Sequence, residues 1–164
     1  ETLVIPEGGY GKLGMMGASA IMELEGVKKF NTILASSGTG TMGAGLIHGS
    51  NPQQHIHLIS ALKNNTSIQK EISDILNYDP FNASIHFGYD MGGYAKINEQ
   101  LIAFMNELYK KHGIPTDIVY TGKLFYAFYQ MLENKQFEKG TSILIIHSGG
   151  LQGNRSLENG VLAF

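Results

Sequence analysis

The residues best suited to chemistry lie in one run, Ile33-Leu-Ala-Ser-Ser-Gly-Thr-Gly-Thr-Met-Gly-Ala-Gly45. An apolar stretch, 31–35, passes straight into small and hydroxyl-bearing residues, and 42–47 reads as a helix. Small side chains let backbone N–H groups converge on one point, and a helix N-terminus adds partial positive charge there. The hydroxyls of Ser36, Ser37, Thr39 and Thr41 add donors, so the loop suits a phosphate dianion without a lysine. No Walker lysine follows the glycines and the G-x-G-x-x-G spacing is absent, so neither nucleotide fingerprint fits well. A phosphate on a smaller cofactor is the better match. Taken alone, the loop is equally well read as a plain Gly/Ser turn between strand and helix.

Positioning such a loop requires a sheet. Apolar or β-rich runs recur at 3–5, 32–35, 56–60, 84–87, 118–120 and 142–147, with a last short one at 160–164. Between them, helical spacing links Leu13, Met16, Ala20 and Leu24, then Ile68, Ile72, Ile75 and Leu76. It recurs in Ile97, Leu101, Phe104, Met105 and Leu108, and again in Leu124, Phe125, Phe128, Met131 and Leu132. The methionines and aromatics at these positions are expected in the core. The alternation predicts a three-layer α/β fold: a mostly parallel sheet, helices on both faces, ligands at the carboxyl ends of the strands. Glycine-rich clusters follow the expected strands, at Gly8-Gly9, Gly38–Gly45, Gly88–Gly93, Gly122 and Gly149-Gly150. In a parallel sheet these loops share one rim, which favours a binding site over mere turns.

The 164 residues suffice for one domain with a real core. A net charge of −2 argues against a nucleic-acid partner, and no apolar run approaches membrane-spanning length. The lack of cysteine removes disulfides and thiolate metal sites; with no secretory signal visible, a soluble, cytoplasmic protein is expected. His55 and His57 would share one strand face, but neither a carboxylate nor a third histidine stands beside them in sequence, so no metal site is expected.

Five motifs, in this order, carry a resemblance. They are I-P-x-G-G-x-x-x-x-G at Ile5–Gly14, the S-G-T-G-T loop, G-Y-A at Gly93–Ala95, D-x-V-Y-T-G-K at Asp117–Lys123 and H-S-G-G at His147–Gly150. The chain resembles the 1-aminocyclopropane-1-carboxylate deaminase / D-cysteine desulfhydrase family from Leu3 to about Leu162. The resemblance implies a fold type II enzyme, akin to the tryptophan synthase β subunit. It implies pyridoxal 5'-phosphate as cofactor, a small amino acid as substrate and a homodimer at full length. Ser37, Gly38, Thr39, Gly40 and Thr41 match the phosphate loop, and Tyr94 and Tyr120 match two active-site tyrosines. Ser148 matches a hydroxyl residue that hydrogen-bonds the pyridine nitrogen, with Thr121 a further hydroxyl of that kind.

The family's Schiff-base lysine, in an N-terminal G-N-K-type motif, has no counterpart here; Lys12 and Lys123 occupy other motifs. The chain also enters an apolar run, 2–6, almost at once. Residues 1–164 are therefore expected to be the C-terminal part of a cofactor-binding α/β domain. The lysine-bearing segment and small domain would lie upstream, leaving this piece inactive by itself. Tyr10 and Lys12 differ from the small residues expected after the paired glycines. Thr121 stands where ring-opening deaminases carry glutamate, V-Y-E-G-K. That favours β-elimination of a thiolate from a D-amino acid, giving a 2-oxo acid, ammonia and sulfide. The alternatives are cyclopropane ring opening to 2-oxobutanoate and ammonia, and a phosphate-ligand binding module without chemistry.

Overall fold

Apolar β-branched runs can bury both faces at once, and four of them form strands. The computed structural model describes residues 4–96 and 98–164. Strands β1 (Thr32–Ser37), β2 (His55–Ser60), β3 (Ala83–His86) and β4 (Ile143–Ile145) form one parallel sheet in the order β3-β2-β1-β4. Leu34 at its centre pairs with His57 on one side and Ile145 on the other. The helices are α1 (Lys12–Ser19), α2 (Thr41–Gly49), α3 (Ile68–Leu76), α4 (Glu99–His112) and α5 (Thr121–Glu133).

Strand alternation splits the core in two. Ile33, Ala35, Ile56 and Leu58 pack with Leu46 of α2 and Ile72 of α3. Leu34 and Ile59 point the other way, onto Leu124, Ala127 and Met131 of α5. The expected three-layer α/β architecture is therefore present. Helix α2 joins β1 to β2 and α3 joins β2 to β3; the chain then returns through α4 and α5 to place β4 on the far side of β1. This reversal opens a crevice between the carboxyl ends of β1 and β4, where open α/β sheets take their ligands.

Several expected elements differ. The run 118–120 is not a strand but a turn into α5, because the Asp117 carboxylate captures the N–H groups a ladder would need. Residues 160–164 form no strand either; the Asn106 side chain on α4 takes the place of a partner strand, bonding Val161 O and Ala163 N. Val4 and Ile5 are exposed and unpaired, while Leu3 and Ile97 lie outside the described residues.

Helix α1 forms where expected but buries a different face. Leu13 is 86% exposed and Met16 54%, whereas Met15 is buried. Small residues set this phase. A Cβ at Gly14 would overlap Gly9 O, and one at Gly45 would lie 2.5 Å from Ala18 Cβ and 2.6 Å from Met15 O. Backbone contact between α1 and α2 thus turns Leu13 and Met16 outward and Met15 inward.

Candidate functional site

β1 ends at Ser36-Ser37, and the chain turns through Gly38 to Gly40 before α2 begins. Gly40 is left-handed at φ 81°, and a Cβ there would press Ile72 at 2.9 Å, so glycine alone enters α2 without strain. The first N–H groups of α2 have no helical carbonyl partner. The turn borders a cleft of about 180 Å³ lined by Gly8, the segment Ser36 to Met42, Tyr120 and Ser148. No charged side chain is among these residues.

Of the expected site residues, Ser37, Gly38, Thr39, Gly40, Thr41, Tyr120 and Ser148 share this cleft. They come from the loops after β1 and β4 and from the entry to α5. The loops touch closely. A Cβ at Gly8 would lie 2.6 Å from Thr39 Oγ1, and the Asn65 side chain donates to Gly38 O at 2.8 Å.

The donor set fits a phosphate group. Thr39 and Thr41 place their hydroxyls 3.2 Å apart. Ser37 Oγ is buried with no hydrogen-bond partner among the described residues, a vacancy that an acceptor oxygen would fill. Helix α2 presents its positive end to the same turn.

Tyr94 stands beside the cleft rather than within its lining. Its ring meets Tyr120 edge-on, with centroids 6.4 Å apart, and is 61% exposed. Tyr120 is half-buried. Burial first, then the neighbouring Tyr94, Asp117 and Glu7, push its phenol above the usual tyrosine range, so it is a proton donor at neutral pH.

Thr121 is a correction. It is fully buried, donates its hydroxyl proton to Asp117 Oδ2 and accepts the Asp117 N–H at 2.8 Å. Its hydrogen-bonding capacity is used inside the α5 entry, so it does not reach the cleft.

Asp117 is the residue that sequence reasoning missed. Its Oδ1 accepts from the Val119 and Tyr120 N–H groups, both at 2.8 Å, and Oδ2 from the Thr121 N–H at 3.0 Å. This holds Tyr120 in a non-helical conformation, φ −126° and ψ −64°, at the N-terminus of α5. An aspartate just ahead of a helix is a readable start signal, hidden here by taking 118–120 as a strand. His147 hydrogen-bonds Pro115 O at 2.7 Å, which orients the loop that carries Ser148.

The histidines need a second correction. His86 of β3 is the third imidazole beside His57, with Nδ1 of His57 and Nε2 of His86 2.9 Å apart. Among the described residues, no group of three or more His, Cys, Asp or Glu is arranged to hold a metal ion.

No protein-family model matches the chain. A Pyrococcus horikoshii protein that carries the provisional name 1-aminocyclopropane-1-carboxylate deaminase is 30% identical over 92% of this chain and 50% of its own length. A D-cysteine desulfhydrase of Klebsiella pneumoniae is 28% identical over 90% of this chain and 50% of its own length. A crystal structure described as an ACC deaminase homologue matches with a TM-score of 0.78 at 27% identity, covering 92% of this chain and 50% of that one. The chain spans about half the length of the curated relatives it matches. With sequence and fold agreeing over nearly all its residues, the chain belongs to the 1-aminocyclopropane-1-carboxylate deaminase / D-cysteine desulfhydrase family.

Proposed function

We propose that the whole protein is a pyridoxal-phosphate enzyme that deaminates a small D-amino acid by β-elimination, releasing a 2-oxo acid, ammonia and sulfide. The observation that carries this reading is the shared cleft of the Ser37–Thr41 turn, Tyr120 and Ser148. Within it, the amides and hydroxyls of Ser37 to Thr41 would hold the phosphate, and Ser148 would face the pyridine nitrogen. When bound, the cofactor supplies an electron sink for charge developing beside the substrate's amino group.

The chain's own residues bias that chemistry. Asp117 gives its carboxylate to the α5 entry, and among the described residues no acidic side chain lines the cleft. A hydroxyl partner such as Ser148 would not hold a proton on the ring nitrogen as a carboxylate would, which would moderate the sink and suit loss of a good leaving group. Tyr120, protonated and edge-on to Tyr94, orients the substrate and donates a proton to the departing group.

This piece alone does not turn over, in our reading, because no lysine is among the cleft-lining residues. The Lys123 amine is already bound to two backbone carbonyls. Cyclopropane ring opening is the second reading, favoured by the name that the Pyrococcus relative carries. The test is turnover by the full-length protein. Sulfide from D-cysteine supports elimination; 2-oxobutanoate from the cyclopropane amino acid, with D-cysteine untouched, reverses the order. Absence of pyridoxal-phosphate binding would sink both.

A further inference from the structure

Lys123 heads the large side chains with no solvent exposure, an unusual place for a cation. No carboxylate lies within ion-pair distance among the described residues. Its Nζ instead donates to Ala61 O at 2.9 Å and Gly93 O at 2.8 Å. Burial pulls the amine below the usual lysine range, so this cation is held against a desolvation cost that a methionine would avoid.

The two carbonyls belong to different loops of the rim. Ala61 opens the loop after β2, and Asn65 in that loop holds Gly38 O. Gly93 ends the turn after β3 and directly precedes Tyr94. That turn is left-handed at three successive residues, with φ 53° at Met91, 95° at Gly92 and 126° at Gly93. Inside, among the described residues, the Gly92 N–H to Asp90 Oδ1 and Gly93 N–H to Asp90 O bonds keep its shape. Such a turn needs an outside anchor.

We propose that Lys123 is a positioning residue, which straps the loops after β2 and β3 to the first turn of α5 and thereby sets Tyr94 against Tyr120. The proposal rests on the reading of these tyrosines as flanking the substrate. Lys123 itself touches neither cofactor nor substrate. Its effect falls on the geometry of the rim.

The experiment is Lys123→Met in the full-length protein, which keeps the stem and removes the donors. Ligand-free amide exchange of residues 88–94 should rise about tenfold or more while β1 and β2 stay within about threefold. Pyridoxal-phosphate affinity should stay within about threefold and kcat fall about tenfold with KM little changed. Unchanged exchange at 88–94, or an equal rise in the strands, overturns the proposal. Should the variant not fold, the unsubstituted protein decides. Native-state acetylation of Lys123 and exchange of the Gly92 and Gly93 amides should be slowed by the same factor, within about tenfold, since one opening exposes both. Unequal factors overturn the strap. Because the exchange measurements need no cofactor, failure of the functional reading shows separately, as absent pyridoxal-phosphate binding in the unsubstituted protein.

Discussion

The Tyr120 phenol stands against the backbone of Gly38, so that a β-carbon on Gly38 would lie 3.3 Å from Tyr120 Oη. The phosphate turn and the tyrosine thus share one wall. Gly38→Ala should displace the ring by a few tenths of an ångström and cost under about 1 kcal/mol of stability. Pyridoxal-phosphate affinity of the full-length protein should fall about tenfold, read by fluorescence titration beside a thermal melt. A large stability loss with intact affinity would show that the ring and the turn are not coupled.

Tyr120→Phe removes only the hydroxyl. Because the phenol titrates above its ordinary value of ~10, no limb of the pH–rate profile between about pH 5 and 9 belongs to it. The variant should lose kcat about a hundredfold, the low end for a positioned proton donor, with that pH window unchanged in shape. A limb that disappears with the hydroxyl would mean that Tyr120 ionises in the working range.

Asp117→Asn tests the cap. The amide oxygen can still accept from Val119 and Tyr120, but its NH2 would face the N–H and hydroxyl donors of Thr121. Leaving buried donors opposed should cost about 2 kcal/mol, close to the loss in Asp117→Ala, as urea denaturation would show. A neutral asparagine would mean that the Oδ2 bonds contribute little.

Burial first, then His55 and His86, hold the His57 imidazole down to about 4. The unfolded chain, at ~6.5, binds more protons between those values, so stability rises with pH there. The contribution is complete above about pH 6.5 and is lost as pH falls towards 4. Discounted for the ring's solvent contact, it is on the order of 1–2 kcal/mol. Melting at pH 4.5 and 7.5 should show a gap that narrows in His57→Gln; an identical gap would contradict the lowered value.

Gly45→Ala should separate α1 from α2, since Met15 O and Ser19 N are backbone atoms that cannot swing aside. The cost should be about 2–3 kcal/mol in a thermal melt, without loss of helical signal. A neutral alanine would mean that α1 docks loosely.

Helix α3 was legible residue by residue, because Ile68, Ile72, Ile75 and Leu76 repeat at one spacing and all are buried. β1 and β2 were legible for the same reason, apolar runs with turn signals behind them. Helix α1 was legible in place but not in phase, because Gly14 and Ala18, which flank the buried Met15 on its packed side, are too small to carry a hydrophobic signal. The 118–120 run misled because β-branched residues also suit a buried turn once a carboxylate takes their N–H groups.

By itself the amino-acid order determined the local chemistry: hydroxyls and glycines at the end of β1, tyrosines and a serine in later loops, and the family that arranges them so. Those features are local, set by residue type and short spacing. Only the tertiary structure decided which groups remain free for a ligand. Thr41 and Thr121 read alike on paper, yet one lines the cleft and the other is consumed by Asp117. His86 and Lys123 likewise found partners on other elements of the chain. A hydrogen bond depends on ångström-scale approach between distant segments, and no spacing along the chain encodes that.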